Sequence, residues 1–166
     1  MDTKHWNVTL VTSGKITMVT WEQFLECVDQ TFGFLKRDFG FNLTSTKRPF
    51  VVFESAELRV SIFYDLSGSC ELDVRIRKKC DDPRFNKSIG IGVLKAVNER
   101  SGAEKLMASY PKTLDELNLK MTQLAGLLLV YGADLLRGDL HEFDVIRKKE
   151  VDIASRLAFE TGSDNQ

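Results

Sequence analysis

The sequence predicts a single α+β domain over residues 1–166, with an antiparallel β-sheet packed against three to four helices. Two changes of hydrophobic period predict it. Apolar residues recur at helical spacing from Trp21 to Phe39, alternate with polar residues between positions 58 and 77, and return to helical spacing from Leu117 to Leu135. A third observation sets the domain count. No internal repeat or low-complexity linker divides the 166 residues, a length that suits one domain burying roughly two thirds of its unfolded surface.

Residues 6–11 (WNVTLV) and 15–19 (KITMV) are rich in β-branched side chains and flank Thr12-Ser13-Gly14, the pattern of an N-terminal hairpin. Thr20-Trp21-Glu22-Gln23 is a capping box, in which the Thr hydroxyl accepts from an orphan amide and Gln reaches back. Trp21, Phe24, Leu25, Val28, Phe32, Leu35 and Phe39 then share one helical face, and Gly40 supplies the stop. The centre reads as a three-stranded meander. Phe50-Val51-Val52-Phe53 is entered through Pro49. Leu58, Val60, Ile62 and Tyr64 form the apolar side of the second strand, and Cys70, Leu72, Val74 and Ile76 that of the third. The separators Ser55-Ala56-Glu57 and Leu66-Ser67-Gly68 have hairpin length, with Gly68 free to take positive φ.

Beyond a loop at residues 80–86, SIGIGVLKAVNERSG reads as a short helix packing Ile89, Val93 and Val97. Thr113-Leu114-Asp115-Glu116 is a second capping box. It opens a helix so apolar that it belongs either at the centre of the core or against a partner. Arg137-Gly138-Asp139 spells an adhesion tripeptide, yet each residue has a capping task. Gly138 ends one helix, Asp139 caps the next in Asp-x-x-Glu with Glu142, and Arg137 lies near the negative helix terminus. The polar tail at 160–166 is expected to fray.

Composition excludes more than it selects. Hydrophobic residues are 43% and charged residues 28%, globular values. Lys plus Arg number 23 against 24 Asp plus Glu, which offers no overall electrostatic footprint for nucleic acid. The longest greasy patch, Leu124 to Tyr131, is too short to span a bilayer, so no membrane role is expected. The first residues lack the pattern of a secretory signal. With Cys27, Cys70 and Cys80 forming an odd, unpaired set, the expected location is the reducing cytoplasm.

Candidate chemistry is sparse. His5 and His141 read as surface residues, and Cys70 beside His141 makes a poor nucleophile-base pair because Cys70 sits on the inward side of its strand. Cys80-Asp81-Asp82 lacks partner ligands for zinc, and Ser88-Ile89-Gly90-Ile91-Gly92 lacks the third glycine of a dinucleotide loop. Neither a cofactor nor a metal is expected. Glu71 and Asp73 read as surface carboxylates in cross-strand charge pairing, with Arg59 and Asp65 on the neighbouring strand. Phe63 stands in an otherwise polar outward row. Under a helix it is core, and in water it is a binding anchor. The candidate binding face is therefore Arg59, Phe63, Glu71, Asp73 and Arg75.

Two stretches taken together carry a resemblance. The run from Phe24 to Ile76, with FLKRDFGF, VVFESAELRVSIFYD and CELDVRI, combines with LAGLLLVYGADLLRGDLHEF. The combination resembles largely uncharacterised families of small bacterial proteins, some encoded near polymorphic toxins and regarded as immunity proteins. The shared features are packing and capping positions. The resemblance implies a cytoplasmic α+β protein that binds another protein, a toxin, without catalysis. Two other readings stay open. A small secretion-type chaperone would need further strands between the meander and the long helix, and a small enzyme would need a perturbed polar group in a cleft between sheet and helices.

Overall fold

Alternation of period two becomes the middle of a five-stranded antiparallel sheet, because one parity of each strand is apolar and must leave water. The computed structural model describes residues 18–79, 87–99 and 109–149. The expected N-terminal hairpin, the loop at 80–86 and the tail lie outside these residues, apart from Met18 and Val19, which are not in a strand.

The sheet order is β1-β2-β3-β4-β5, with β1 at Asn42–Ser45, β2 at Phe50–Glu54, β3 at Leu58–Tyr64, β4 at Leu72–Lys78 and β5 at Ser88–Gly90. The three central strands are the predicted meander. Val60 lies opposite Phe53 and Ile76, and Ile62 opposite Val51 and Val74; all six are buried. The edges differ from expectation. Residues 88–90 are a strand, with Ile89 opposite Ile76 and buried, and only residues 91–99 continue as helix. One outward, one inward and one outward residue is too short a signal to separate from a helical turn. β1 also went unanticipated, because backbone pairing with β2 holds it and three of its four residues are exposed.

The predicted first helix is two helices on one continuous apolar stripe. α1 (Trp21–Phe32) opens with the capping box, Gln23 N donating to Thr20 Oγ1 at 3.2 Å and Thr20 N to Gln23 Oε1 at 2.9 Å. The chain breaks at Gly33, where a Cβ would stand 2.5 Å from the Asp29 carbonyl oxygen, and resumes as α2 (Phe34–Phe39). Phe32 and Leu35, on either side of the break, are both buried. The stop at Gly40 is as predicted.

α3 (Ile91–Glu99) and α4 (Leu114–Leu136) pack with α1 over the inward side of the sheet. The Phe24 ring lies 5.3 Å from that of Tyr64, and a Cβ on Gly132 would meet Leu128 at 2.8 Å, Leu94 at 3.4 Å and Ile76 at 3.9 Å. Thus α4 approaches β4 and α3 closely where it has no side chain. Cys27 Sγ donates to Asn118 Oδ1 at 2.9 Å, joining α1 to α4. Burial, with Glu26 nearby, pushes this thiol's pKa up, which keeps the proton it donates.

α4 is less central than its composition suggested. It buries a stripe of Leu117, Met121, Ala125, Leu128 and Leu135, while Leu129 is 40% and Val130 71% exposed. By length and composition it is apolar enough to cross a membrane, with a mean hydropathy of 1.3 over a window that the greasy patch alone did not reveal. Its buried stripe belongs to the core.

The Arg-Gly-Asp segment behaves as punctuation. Gly138 takes φ +98° and its N–H donates to the Leu135 carbonyl, closing α4. Asp139 Oδ1 then accepts from the amides of His141 and Glu142 at 3.1 and 3.2 Å, capping a fifth helix, α5, described over residues 140–149. His141 is exposed, and Phe143 and Ile146 of α5 join the core.

Candidate functional site: the outer face of the sheet

The parity that faces away from the helices forms three cross-strand rows. One row runs Phe50, Phe63, Asp73; the second Val52, Ser61, Arg75, Gly90; the third Glu54, Arg59, Arg77, Ser88. Apart from Arg75 the middle row is small, so the longer side chains around it enclose a shallow hollow of about 780 Å³. Among the described residues its lining comes from strands and the β1–β2 loop, with no helix over it.

Charge is unevenly placed here. The hollow is lined by Lys47, Arg48, Arg59, Arg75 and Arg77 against the single acid Glu54. A chain with net charge −1 thus carries a locally basic concavity, which the near-equal totals concealed. Glu54 is shared: its carboxylate pairs with Arg59 and lies 3.7 Å from Lys79 Nζ. Arg75 Nε donates to Asp73 Oδ2 at 2.6 Å along its own strand. Arg77 differs. It sits directly opposite Arg59, a like-charge pair that disfavours the sheet unless something neutralises it. Its Nε is shielded from solvent and, among the described residues, has no hydrogen-bond partner.

The five expected site residues are only partly brought together. Arg59 and Arg75 line the hollow. Phe63 is half-buried, with its ring 5.2 Å from that of Phe50, which is 44% exposed; Phe63 is thus a partly wet aromatic beside a more exposed one. Asp73 stands opposite Phe63, so its ion partner is Arg75 rather than a cross-strand arginine. Glu71 lies one residue before β4, in the turn, where its carbonyl accepts from Asp65 N at 2.9 Å. The expected cross-strand charge pairing of Glu71 and Asp73 with Arg59 therefore does not form. Arg59 pairs with Glu54 on the other neighbouring strand.

Asp65 is occupied by its own turn. Its carboxylate accepts from Ser67 and Ser69, through hydroxyls and amides, and these bonds hold its pKa well below the usual carboxylate range. Cys70 closes the same turn at φ +54°, the left-handed place expected of Gly68, so it is outside the strand and only partly buried. Beside this turn a smaller hollow of about 370 Å³ opens between Trp21, Arg48 and Tyr64, with the Arg48 guanidinium 5.5 Å from the Trp21 ring centre. Arg48 and Pro49 border both hollows. Among the described residues no three His, Cys, Asp or Glu side chains converge as a metal site.

Comparison with family models, with curated proteins and with solved structures finds no match. The resemblance to immunity-type proteins therefore rests on this chain's own residues.

Sequence reasoning missed Arg77, Glu54, Phe50 and the Lys47-Arg48 pair. Parity alone places Arg77 outward with Arg75, so that signal was present. Its position opposite Arg59 follows from the length of the turn between β3 and β4, which alternation does not reveal.

Proposed function

We propose that this is a non-catalytic protein-binding domain of the immunity type, acting in the cytoplasm, with the outer face of its sheet as the interface. One observation carries the reading: the outer face presents the Phe50–Phe63 pair and a rim of arginines with no described helix above them. Aromatic and arginine side chains are the groups that anchor protein interfaces, because they combine large contact area with directional polar contacts. The toxin-neutralising role comes from the resemblance, and a rigid sheet suits a neutraliser that works by covering its target.

The test is affinity capture with wild type and Phe63→Asp from cells of the source organism, followed by reconstitution of any captured pair from pure proteins. The expected result is one partner, lost with Phe63→Asp, whose toxic activity falls in proportion to added wild-type protein. Capture unchanged by the substitution would move the interface off this face. A partner that keeps its full activity when bound would remove the immunity role.

A further inference from the structure

Resting on the reading of the outer face as a protein interface, we infer that its partner presents an acidic segment, whose carboxylates seat between Arg59, Arg75 and Arg77 while an apolar residue meets Phe50 and Phe63. Three independent features support it. First, the hollow has five cationic side chains and one acid, and that acid is already shared by Arg59 and Lys79. Secondly, Arg59 and Arg77 stand opposite one another in register, an arrangement that an anion lying between them would relieve. Thirdly, the Arg77 Nε is withdrawn from water without an acceptor among the described residues. A charged donor left in that state is costly, and a carboxylate oxygen supplied from outside would satisfy it.

A polypeptide fits the face better than a nucleic acid. The two phenylalanine rings pack on each other at an interplanar angle of 45°, so they do not offer parallel open faces to successive bases. Asp73, in the same row as both rings, and Glu54 in the hollow would repel a continuous phosphate chain. Discrete carboxylates spaced along a peptide can fall on the arginines and avoid both acids. The floor of Ser61 and Val52 leaves room for extended backbone.

The experiment is an NMR titration of the full ¹⁵N-labelled chain with a decapeptide of glutamate carrying one central leucine. It reads the Arg77 Nε–Hε cross-peak together with the backbone amides of β3 and β4. The expected result is a progressive shift of that cross-peak, binding weakened at least tenfold by Arg77→Gln and less by Arg77→Lys, and loss of binding in high salt. Arg59→Gln supplies the same readout if Arg77→Gln does not fold, since Arg59 stands directly opposite Arg77. An unmoved cross-peak at saturating peptide, or equal binding by wild type and both glutamine variants, would overturn the inference. So would tighter binding of a ten-nucleotide thymidylate, which would make the face one for single-stranded nucleic acid. Loss of partner capture on Phe63→Asp, with peptide binding indifferent to Arg77, would leave the interface standing and remove only its acidic ligand.

Discussion

The two faces of β3 and β4 share every backbone atom and differ in what their side chains settle for. On the inner face no charged residue is buried among the described residues. The Tyr64 hydroxyl, buried at the end of its row, donates to the Pro111 carbonyl at 2.8 Å. On the outer face, one turn of alternation away, Arg77 holds a shielded Nε with no acceptor among the described residues and faces another arginine. Selection for stability alone would favour a polar, uncharged or oppositely charged pair there. The inner face is thus completed by folding, whereas on the outer face folding leaves a charged donor unsatisfied among the described residues.

Substitutions on the two faces should therefore diverge, and the largest effect belongs inside. Ile76 lies between Val60 and Ile89 and is fully buried, so Ile76→Ala is expected to destabilise the fold by about 2–5 kcal/mol. Urea unfolding at neutral pH measures it. A loss under about 1 kcal/mol would mean that the inner face is not the tight core described.

Tyr64 gives the next effect, and pH isolates it. Burial above all, with Cys70 and Glu116 adding to it, pushes its pKa up from 10.0 to about 12. The folded state thus keeps a proton that the unfolded state releases. That contribution is complete below pH 10 and disappears as pH climbs from 10 toward 12. At neutral pH Tyr64→Phe should cost about 0.5–1.5 kcal/mol through the lost hydrogen bond. Between pH 10 and 12 wild type should lose stability faster than the variant, so the two unfolding midpoints converge. Parallel curves across that window would show that the hydroxyl is not confined as described.

Arg77→Met should produce the smallest change, and its sign sharpens the contrast. It removes the orphaned donor and the like-charge pair while retaining the aliphatic stem. Stability is expected to stay within about 0.5 kcal/mol of wild type or to rise. A clear loss would show that Arg77 supports the fold, and the asymmetry between the faces would shrink accordingly.

The legible parts of the molecule were those where one face meets oil and the other water. The meander, both capping boxes and the stop at Gly138 were readable from local pattern. Val60, Ile62, Val74 and Ile76 could take no other side without exposing the whole set. β1 and β5 were not readable, because edge strands are fixed by pairing with a neighbour and carry little alternation of their own. The break at Gly33 left no mark on the apolar stripe, which continues through it. For the candidate face, parity identified Arg59, Phe63, Asp73 and Arg75 as outward. Their partners depend on register, and register depends on the turn of residues 65–71, where Cys70 rather than Gly68 adopts the left-handed conformation. The basic hollow was hidden for a simpler reason: total charge averages over a surface, whereas a ligand feels only what is nearby.

The order of the strands has a further consequence. Among the named strands each pairs with its neighbours in sequence, and one isolated bridge from Leu72 to Ser109 ties the sheet to a distant stretch, so the sheet itself can zip up hairpin by hairpin. The long loop is closed elsewhere, where α1 meets α4 and the Cys27–Asn118 bond joins residues 91 positions apart. Among the described elements, the docking of α4 is the step that closes this separation. Until that event the apolar side of the sheet stands open, and the interval before α4 arrives is the period when the newly made chain is most exposed to pairing with the wrong neighbour.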